Sequence, residues 1–593
     1  MVRRTISLFA ASLLVASFVL CHVAVRPALA DEPEAAPSVS ELIKQLGSKD
    51  LQVRYKAVNA LADLGPGAKD AVPDLVKALR DADPELRSSA ATALAAIGPA
   101  AKEAGLALVA RLKDEVPDVR SHAAHALGNI GAVNEAVVPE LVRTTADEDP
   151  NVRRTAVRAI QKIKPGPDVV LPLVEKLLED KDPSVVLHAL QSMAEVGEKA
   201  MPTIIGALGN QKSRYWACVV LAEMGPAAKA AVPELTKVVE DPDPEERMQA
   251  LIALGEIGPA AAASVPVISD KLTKKDEQAS VRYGAAFALG KIGDKKATPA
   301  LEEAVKDKDA FLSMISAWAL AIINPEDETA NMRAIKMLAK GIESEKSFIR
   351  SAAVRGLTEL QSKRPEAIHA LVLALKDPEP DITGNALIGI VGAGSSSVPE
   401  LSKVLADKDL QIAAVMALGR IGADAKGAVP AIVKQLPGDN PLFQREAHFA
   451  LGAIGPDAAA AVPALTKALN DKEMEVRYSA SYALGKLGPA AKPAVSALKA
   501  NIKSEDEFLR LASVWALLSI DPTDKGLVET ALPLLIAALD NERPLVRREA
   551  ATALGDLGKQ AKSATAALKK TVSVETDPDV KAAAEAALDR IGG

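Results

Sequence analysis

Val119–Gly131 reads VRSHAAHALGNIG. Its apolar residues Val119, Ala123, Ala126, Leu127 and Ile130 recur at the spacing of one face of an α-helix. Gly131 then stands where a left-handed helix end tolerates a missing Cβ best. The phrase returns along the whole chain, with its first residue at Val53, Leu86, Val119, Val152, Val185, Ser213, Glu246, Val281, Leu312, Ile349, Ile382, Leu410, Phe443, Val476, Leu509, Val546 and Val580. The commonest interval is 33 residues. A fixed period of that size marks a stack of similar units in which each neighbour completes the interior of the last.

Outward from this phrase, each unit reads helix, turn, helix. Glycine recurs at Gly65, Gly98, Gly131, Gly225, Gly258, Gly293, Gly422, Gly455, Gly488 and Gly558. A proline such as Pro73, Pro139, Pro172, Pro233, Pro399, Pro430 or Pro463 then opens a second helix, where its missing N–H costs nothing. Immediately after the first residue of the phrase stands an arginine in eleven copies: Arg54, Arg87, Arg120, Arg153, Arg214, Arg247, Arg282, Arg350, Arg477, Arg510 and Arg547. Five residues before the phrase stands an aspartate in many copies, among them Asp81, Asp114, Asp147, Asp180, Asp241, Asp276, Asp307, Asp377 and Asp471. A guanidinium reaches a carboxylate and exposed carbonyls at once. The two rows are therefore expected to form a structural ladder between units; the competing reading is an anion-binding arginine row.

On these residues the array resembles HEAT repeats of the phycobilisome-lyase type, over about residues 39–592. The resemblance implies an all-α, right-handed α-solenoid of about sixteen to seventeen stacked helical hairpins. It implies no single activity, because such repeats occur in scaffolds, adaptors, transport receptors and a few enzymes.

Intervals of 28 and 37 residues interrupt the rhythm, and each recurs 197 residues later. Val281–Gly293 (VRYGAAFALGKIG) matches Val476–Gly488 (VRYSASYALGKLG), and Phe311–Pro325 matches Phe508–Pro522. The expected organisation is a signal peptide at 1–30, a polar tether at 31–38 and a capping helix at 39–50. Four repeats follow at 51–179, then a six-repeat block at 180–376, its second copy at 377–574, and a capping half-repeat at 575–593.

The N-terminus is read as an export signal: Arg3 and Arg4, an uncharged stretch from Ile6 to Val25, then Ala28-Leu29-Ala30 as a small-x-small cleavage site. The alternative is an uncleaved anchor, since the stretch approaches membrane-spanning length. The expected location is therefore periplasmic or extracellular. Once Cys21 is removed, Cys218 is the only cysteine and no intrachain disulfide forms. Formal net charge is −7, more negative after loss of Arg3, Arg4 and Arg26, which disfavours non-specific nucleic-acid binding.

Two sets of residues are candidate partner contacts. Lys77, Arg143, Lys176, Lys237, Lys403, Lys434 and Lys467 follow the second-helix prolines by four and form a broken basic rail. Asp74, Glu140, Glu234 and Glu400 give the competing reading, own-helix i,i+3 pairs. Tyr283, Phe287 and Trp318 in the first block match Tyr478, Tyr482 and Trp515 in the second, as docking anchors or as groove fillers. No catalytic motif, no metal-site spacing among the six histidines and no phosphate loop is present. No cofactor is expected. The leading expectation is an exported, non-enzymatic scaffold or adaptor that binds another protein. The alternatives are a lyase- or oxidoreductase-related protein handling a chromophore, and binding of a polyanion or surface glycan through the Lys/Arg rail.

Overall fold

The computed structural model describes residues 37–131, 136–165, 180–521, 523–575 and 577–592, with Leu173, Lys176, Leu177 and Leu178 among them. The expected signal at 1–30 and most of the tether lie outside the described residues, as does Pro172. Among the described residues every element is helical. Each of the seventeen copies of the phrase falls on an α-helix or on the residue that opens one. The capping helix is Val39–Leu46; Ser38, assigned to the tether, is its N-cap in a reciprocal capping box with Glu41.

The hairpin follows from a short grammar in which each residue has one task. In Asp81-Ala82-Asp83-Pro84, Asp83 accepts from Leu86 N–H as the N-cap of the helix Pro84–Ile97, and Pro84 takes the first helical position. Leu86, Ala90, Ala93, Leu94 and Ile97 then face inward, all at most 1% exposed. A leucine buried this way contributes about 2 kcal/mol. Small residues let successive first helices approach closely. A Cβ on Gly128 would stand 2.8 Å from Ala159 Cα on the next first helix.

Two details differ from the sequence reading. The repeat glycines do have φ between +52° and +78°. At Gly98, Gly225, Gly258, Gly422, Gly455 and Gly488, however, ψ lies between −131° and −146°, whereas Gly131 and Gly293 are left-handed helical. That mirror-extended conformation belongs to glycine alone. It turns the chain directly into a 3-10 segment, such as Gly98–Ala104, which then runs into the second helix Gly105–Arg111. Three such continuous stretches, Pro84–Arg111, Pro244–Thr273 and Pro441–Ala468, are long and apolar enough to cross a membrane by length and composition. Each contains this glycine turn, and 50–56% of its apolar window is buried inside the fold.

The arginines connect consecutive loops. Arg87 donates from Nη1 to the carbonyls of Asp81 (3.0 Å) and Ala82 (3.1 Å), and from Nε and Nη2 to Asp114 (2.9 and 2.7 Å). Arg120 holds Asp114 O and Asp147 in the same way, and Arg153 holds Asp147 O and Asp180. Arg54–Asp81, Arg214–Asp241, Arg282–Asp307 and Arg350–Asp377 repeat the ion pair. In a longer loop Arg247 takes Glu277 and not Asp276, and Arg547 takes Glu575. Arg477 and Arg510 keep the carbonyl contacts, with Ser504 and Asn541 standing at the acid position.

The chain divides into two compact units, Met1–Glu326 and Asp327–Gly593. That division falls inside the first 197-residue block, after the helix Ala310–Ile323, which ends on Asn324 without the glycine turn. Sequence duplication and compactness thus place their boundaries differently.

Two predictions follow from the buried charges. Arg120 and Arg87 are 7% and 6% exposed, and removing one member of such a pair strands the other. Arg120→Ala is expected to cost about 3 kcal/mol in urea unfolding, with Arg120→Lys recovering less than half. Burial works against the charge of Asp114, Asp180 and Asp377, yet their arginines hold all three below the usual carboxylate value. Their contribution is therefore complete above the unfolded aspartate value and is lost as pH falls through the lower native one.

Glu246 behaves oppositely. It stands at the core position occupied by an apolar residue in every other repeat but that of Ser213, and its Oε2 has no hydrogen-bond partner among the described residues. Burial first, then Asp241, Asp243 and Glu245, push its carboxyl up to about 7 against the pull of Arg214. The native state keeps a proton that the unfolded chain releases, so stability declines as pH rises from the unfolded value through about 7. Glu246→Gln is expected to melt higher than wild type at pH 8, with the gap closing towards pH 5; a gap independent of pH contradicts this.

Candidate functional site

The first helices have a second face, turned away from the core. Counting six residues from the start of each phrase gives one column down the array. In the N-terminal unit it reads Asn59, Thr92, His125, Arg158, Gln191, Val219, Ile252, Phe287 and Trp318. In the C-terminal unit it reads Arg355, Ile388, Met416, Phe449, Tyr482, Trp515, Thr552 and Ala586. Five consecutive repeats of the C-terminal unit therefore present a large apolar or aromatic side chain at the same place.

These side chains meet solvent. Ile388 is 60% exposed, Phe449 41% and Tyr482 37%, while Met416 and Trp515 are half-buried. Phe449 stands edge-on to Tyr482 at 5.5 Å between ring centroids, and Tyr482 stacks on Trp515 at 5.5 Å and 11°. Three repeats thus share one continuous ring surface on the helices Pro441–Ile454, Met474–Leu487 and Glu507–Ile520. Glycine makes the last step possible. The Trp515 ring lies directly over Gly485, where a Cβ would stand 2.8 Å from Trp515 Cε3. Lys486 Nζ sits 5.5 Å from the Tyr482 ring centroid and 5.8 Å from that of Trp515.

The N-terminal unit keeps the ring pair but covers it. Phe287 stacks on Trp318 at 6.0 Å, over Gly255 and Gly290. Trp318 is only 5% exposed and Val219 6%. As docking anchors, three of the six aromatics expected from sequence are corrected. Trp318 is buried. Tyr283 and Tyr478 are half-buried, with their hydroxyls donating to Asp309 and Asp506, the N-caps of the next first helix. Burial first, then that carboxylate, raises both phenol pKa values. Their rings meet Phe311 and Phe508 edge-on at 4.8 and 4.7 Å. Phe287 is half-buried; Tyr482 and Trp515 belong to the open surface. Ile388, Met416 and Phe449 were missed, although the column was legible once the repeats were aligned.

The second-helix cations sort by their own sequence. Lys77, Lys237 and Lys403 pair with Asp74 (2.8 Å), Glu234 (2.6 Å) and Glu400 (2.8 Å), and Arg143 pairs with Glu140. Such exposed i,i+3 pairs contribute at most a few tenths of a kcal/mol. Lys434 and Lys467 have Ala431 and Ala464 in place of the acid, and neither has an ion-pair partner among the described residues. Lys176 is exposed. Among the described residues no group of three or more His, Cys, Asp or Glu is placed to hold a metal ion. A groove of about 480 Å³ lies between repeats of the C-terminal unit, with Asp506, Phe508, Asp540, Glu542, Arg543 and Val546 on its walls.

A family model described as HEAT repeats matches residues 39–115, 105–194, 138–213, 201–270, 265–358, 429–518 and 520–589. No curated protein matches the sequence. Among solved structures, a Kap95:Nup1 complex aligns at TM-score 0.56 and 13% identity, over 93% of this chain and 95% of that one. Yeast importin-β (Kap95p) aligns at TM-score 0.51 and 13% identity, over 93% and 92%. At that identity the likeness is one of fold, and the fold is an α-solenoid.

Gly485→Ala is expected to displace the Trp515 ring, shifting tryptophan emission to the red and weakening the near-ultraviolet circular dichroism. An unchanged spectrum would show that the ring does not rest on this glycine.

Proposed function

We propose that this chain, which belongs to the HEAT-repeat family, is a scaffold or adaptor that holds another protein along the first-helix face of its C-terminal unit. One observation carries the reading: Phe449, Tyr482 and Trp515 form a continuous, solvent-facing ring surface, extended by Met416 and Ile388 across five repeats. Exposed aromatic side chains of this kind dominate interface energies, because they bring large area at low entropic cost. Stacked repeats multiply a shallow surface, which suits a long contact with another macromolecule. The Kap95:Nup1 complex is a protein bound to a protein on a fold of this kind. The reading includes export, carried by the leader at 1–30, so that the partner is met outside the cytoplasm.

The test places a photo-crosslinking amino acid at Ile388 or Met416 in the full-length chain in its native host, with the exposed Arg80 of the N-terminal unit as control. The reading expects one discrete protein adduct from the two column positions, absent from Arg80 and lost on Phe449→Ser. Equal labelling from all three positions, or none from the column, overturns it.

A further inference from the structure

Resting on that reading, we infer that the column takes an extended segment of another protein whose apolar side chains are flanked along one edge by carboxylates. The apolar half of the statement comes from the column itself, and the acidic half from how charge is distributed on its two edges.

At the N-terminal ends of the column helices the arginines are held within the protein, by carboxylates or, for Arg477 and Arg510, by backbone carbonyls. Arg445 is held by Glu446 at 2.9 Å and by Glu475 at 3.1 Å. One turn beyond the column, at the other edge, the pattern changes. Arg420 follows Met416 by four residues and Lys486 follows Tyr482 by four, so each cation lies on the column face of its own helix. Both are exposed, and among the described residues neither has a carboxylate within ion-pairing distance. Lys486 instead lays its stem over Gly452 of the preceding repeat and its ammonium beside the Tyr482 and Trp515 rings. Favourable placement near a helix C-terminus accounts for a cation there. It does not account for two cations left without counter-charge, two repeats apart, beside an exposed apolar column in a protein of net charge −7. The corresponding positions of the N-terminal unit are Asp63, Ala96, Asn129, Lys162, Glu195, Glu223, Glu256, Lys291 and Ile322, where acids outnumber cations four to two, whereas the five column repeats have Gly392, Arg420, Ala453, Lys486 and Ser519 and no acid.

The spacing specifies the segment further. Packed helices lie about 8–10 Å apart, so one column residue appears roughly every 10 Å. An extended chain in the polyproline II conformation advances about 3.1 Å per residue and returns to the same face every third residue, which matches an apolar side chain at every third position. Arg420 and Lys486, two repeats apart, then match two carboxylates about six residues apart. The column is one side chain wide, which fits a single extended segment more closely than the broad apolar stripe of a helix.

The probe is a pair of fluorescein-labelled sixteen-residue peptides with leucine or phenylalanine at every third position. One carries two glutamates six residues apart and the other has glutamine in their place. Binding to the full chain is followed by anisotropy. The acidic peptide is expected to bind at least tenfold more tightly than its neutral twin at low salt, with the difference shrinking as salt rises. Arg420→Glu with Lys486→Glu should abolish that difference, whereas Phe449→Ser should weaken both peptides alike. Equal binding of the two peptides overturns the inference and leaves the docking face standing. Absence of binding by either overturns it too, and the photo-crosslinking result then decides separately whether the face is used at all. Acidic-peptide binding that survives Phe449→Ser but is lost on Lys434→Glu with Lys467→Glu overturns it in favour of the second-helix rail. Concentration-dependent self-association lost on Phe449→Ser overturns it in favour of a second copy.

Discussion

A hairpin of two short helices cannot bury its own apolar face, and that constraint shapes everything else in this protein. Second helices such as Val72–Ala78 and Val232–Val238 have only seven residues, far too few to persist alone. They are stable because Leu75, Leu235 and their equivalents are closed over by neighbouring repeats. The arginine at the second position of eleven of the seventeen phrases adds direction to this packing. One guanidinium holds the loop before its own helix through two carbonyls and the loop after its hairpin through a carboxylate. Successive loops are thereby fixed in register over nine ion pairs, with the acid moved to Glu277 or Glu575 where the loop differs.

Because the core and the ladder occupy the inner faces and the loops, the remaining surface of the first helices is not fixed by the repeat. What stands there reflects local choice. The N-terminal unit puts Asn59, Thr92, His125, Arg158 and Gln191 in the column, and where aromatic residues do occur Trp318 is buried and Phe287 half-buried. The C-terminal unit keeps the rings open. The two copies of the duplicated sequence thus share an architecture and differ in what they offer a partner.

Much of this was legible in the sequence, for identifiable reasons. Helix periodicity, the recurring glycines and the opening prolines are local signals, so the hairpins could be placed from Val119–Gly131 outward. The ladder could be anticipated because the Arg and Asp rows share one period. What could not be read was conformation that glycine permits but does not choose: Gly98 and Gly131 look alike in sequence and differ by about half a turn in ψ. Burial of Trp318 against exposure of the Phe449–Tyr482–Trp515 surface was equally hidden, since corresponding residues differ only through their neighbours. Ile388 and Met416 escaped notice because attention to aromatics alone misses a column that is continued by aliphatic side chains.

The most direct measurement of the central claim is native-state hydrogen exchange on Arg350→Gln. Arg350 donates to the carbonyls of Ser344 and Glu345 on one side and to Asp377 on the other. If one guanidinium clips two loops, amides around Ser344–Ser347 and around Asp377–Ile382 should both exchange faster, although some thirty residues separate them. Faster exchange confined to the helix that carries the substitution would contradict the account.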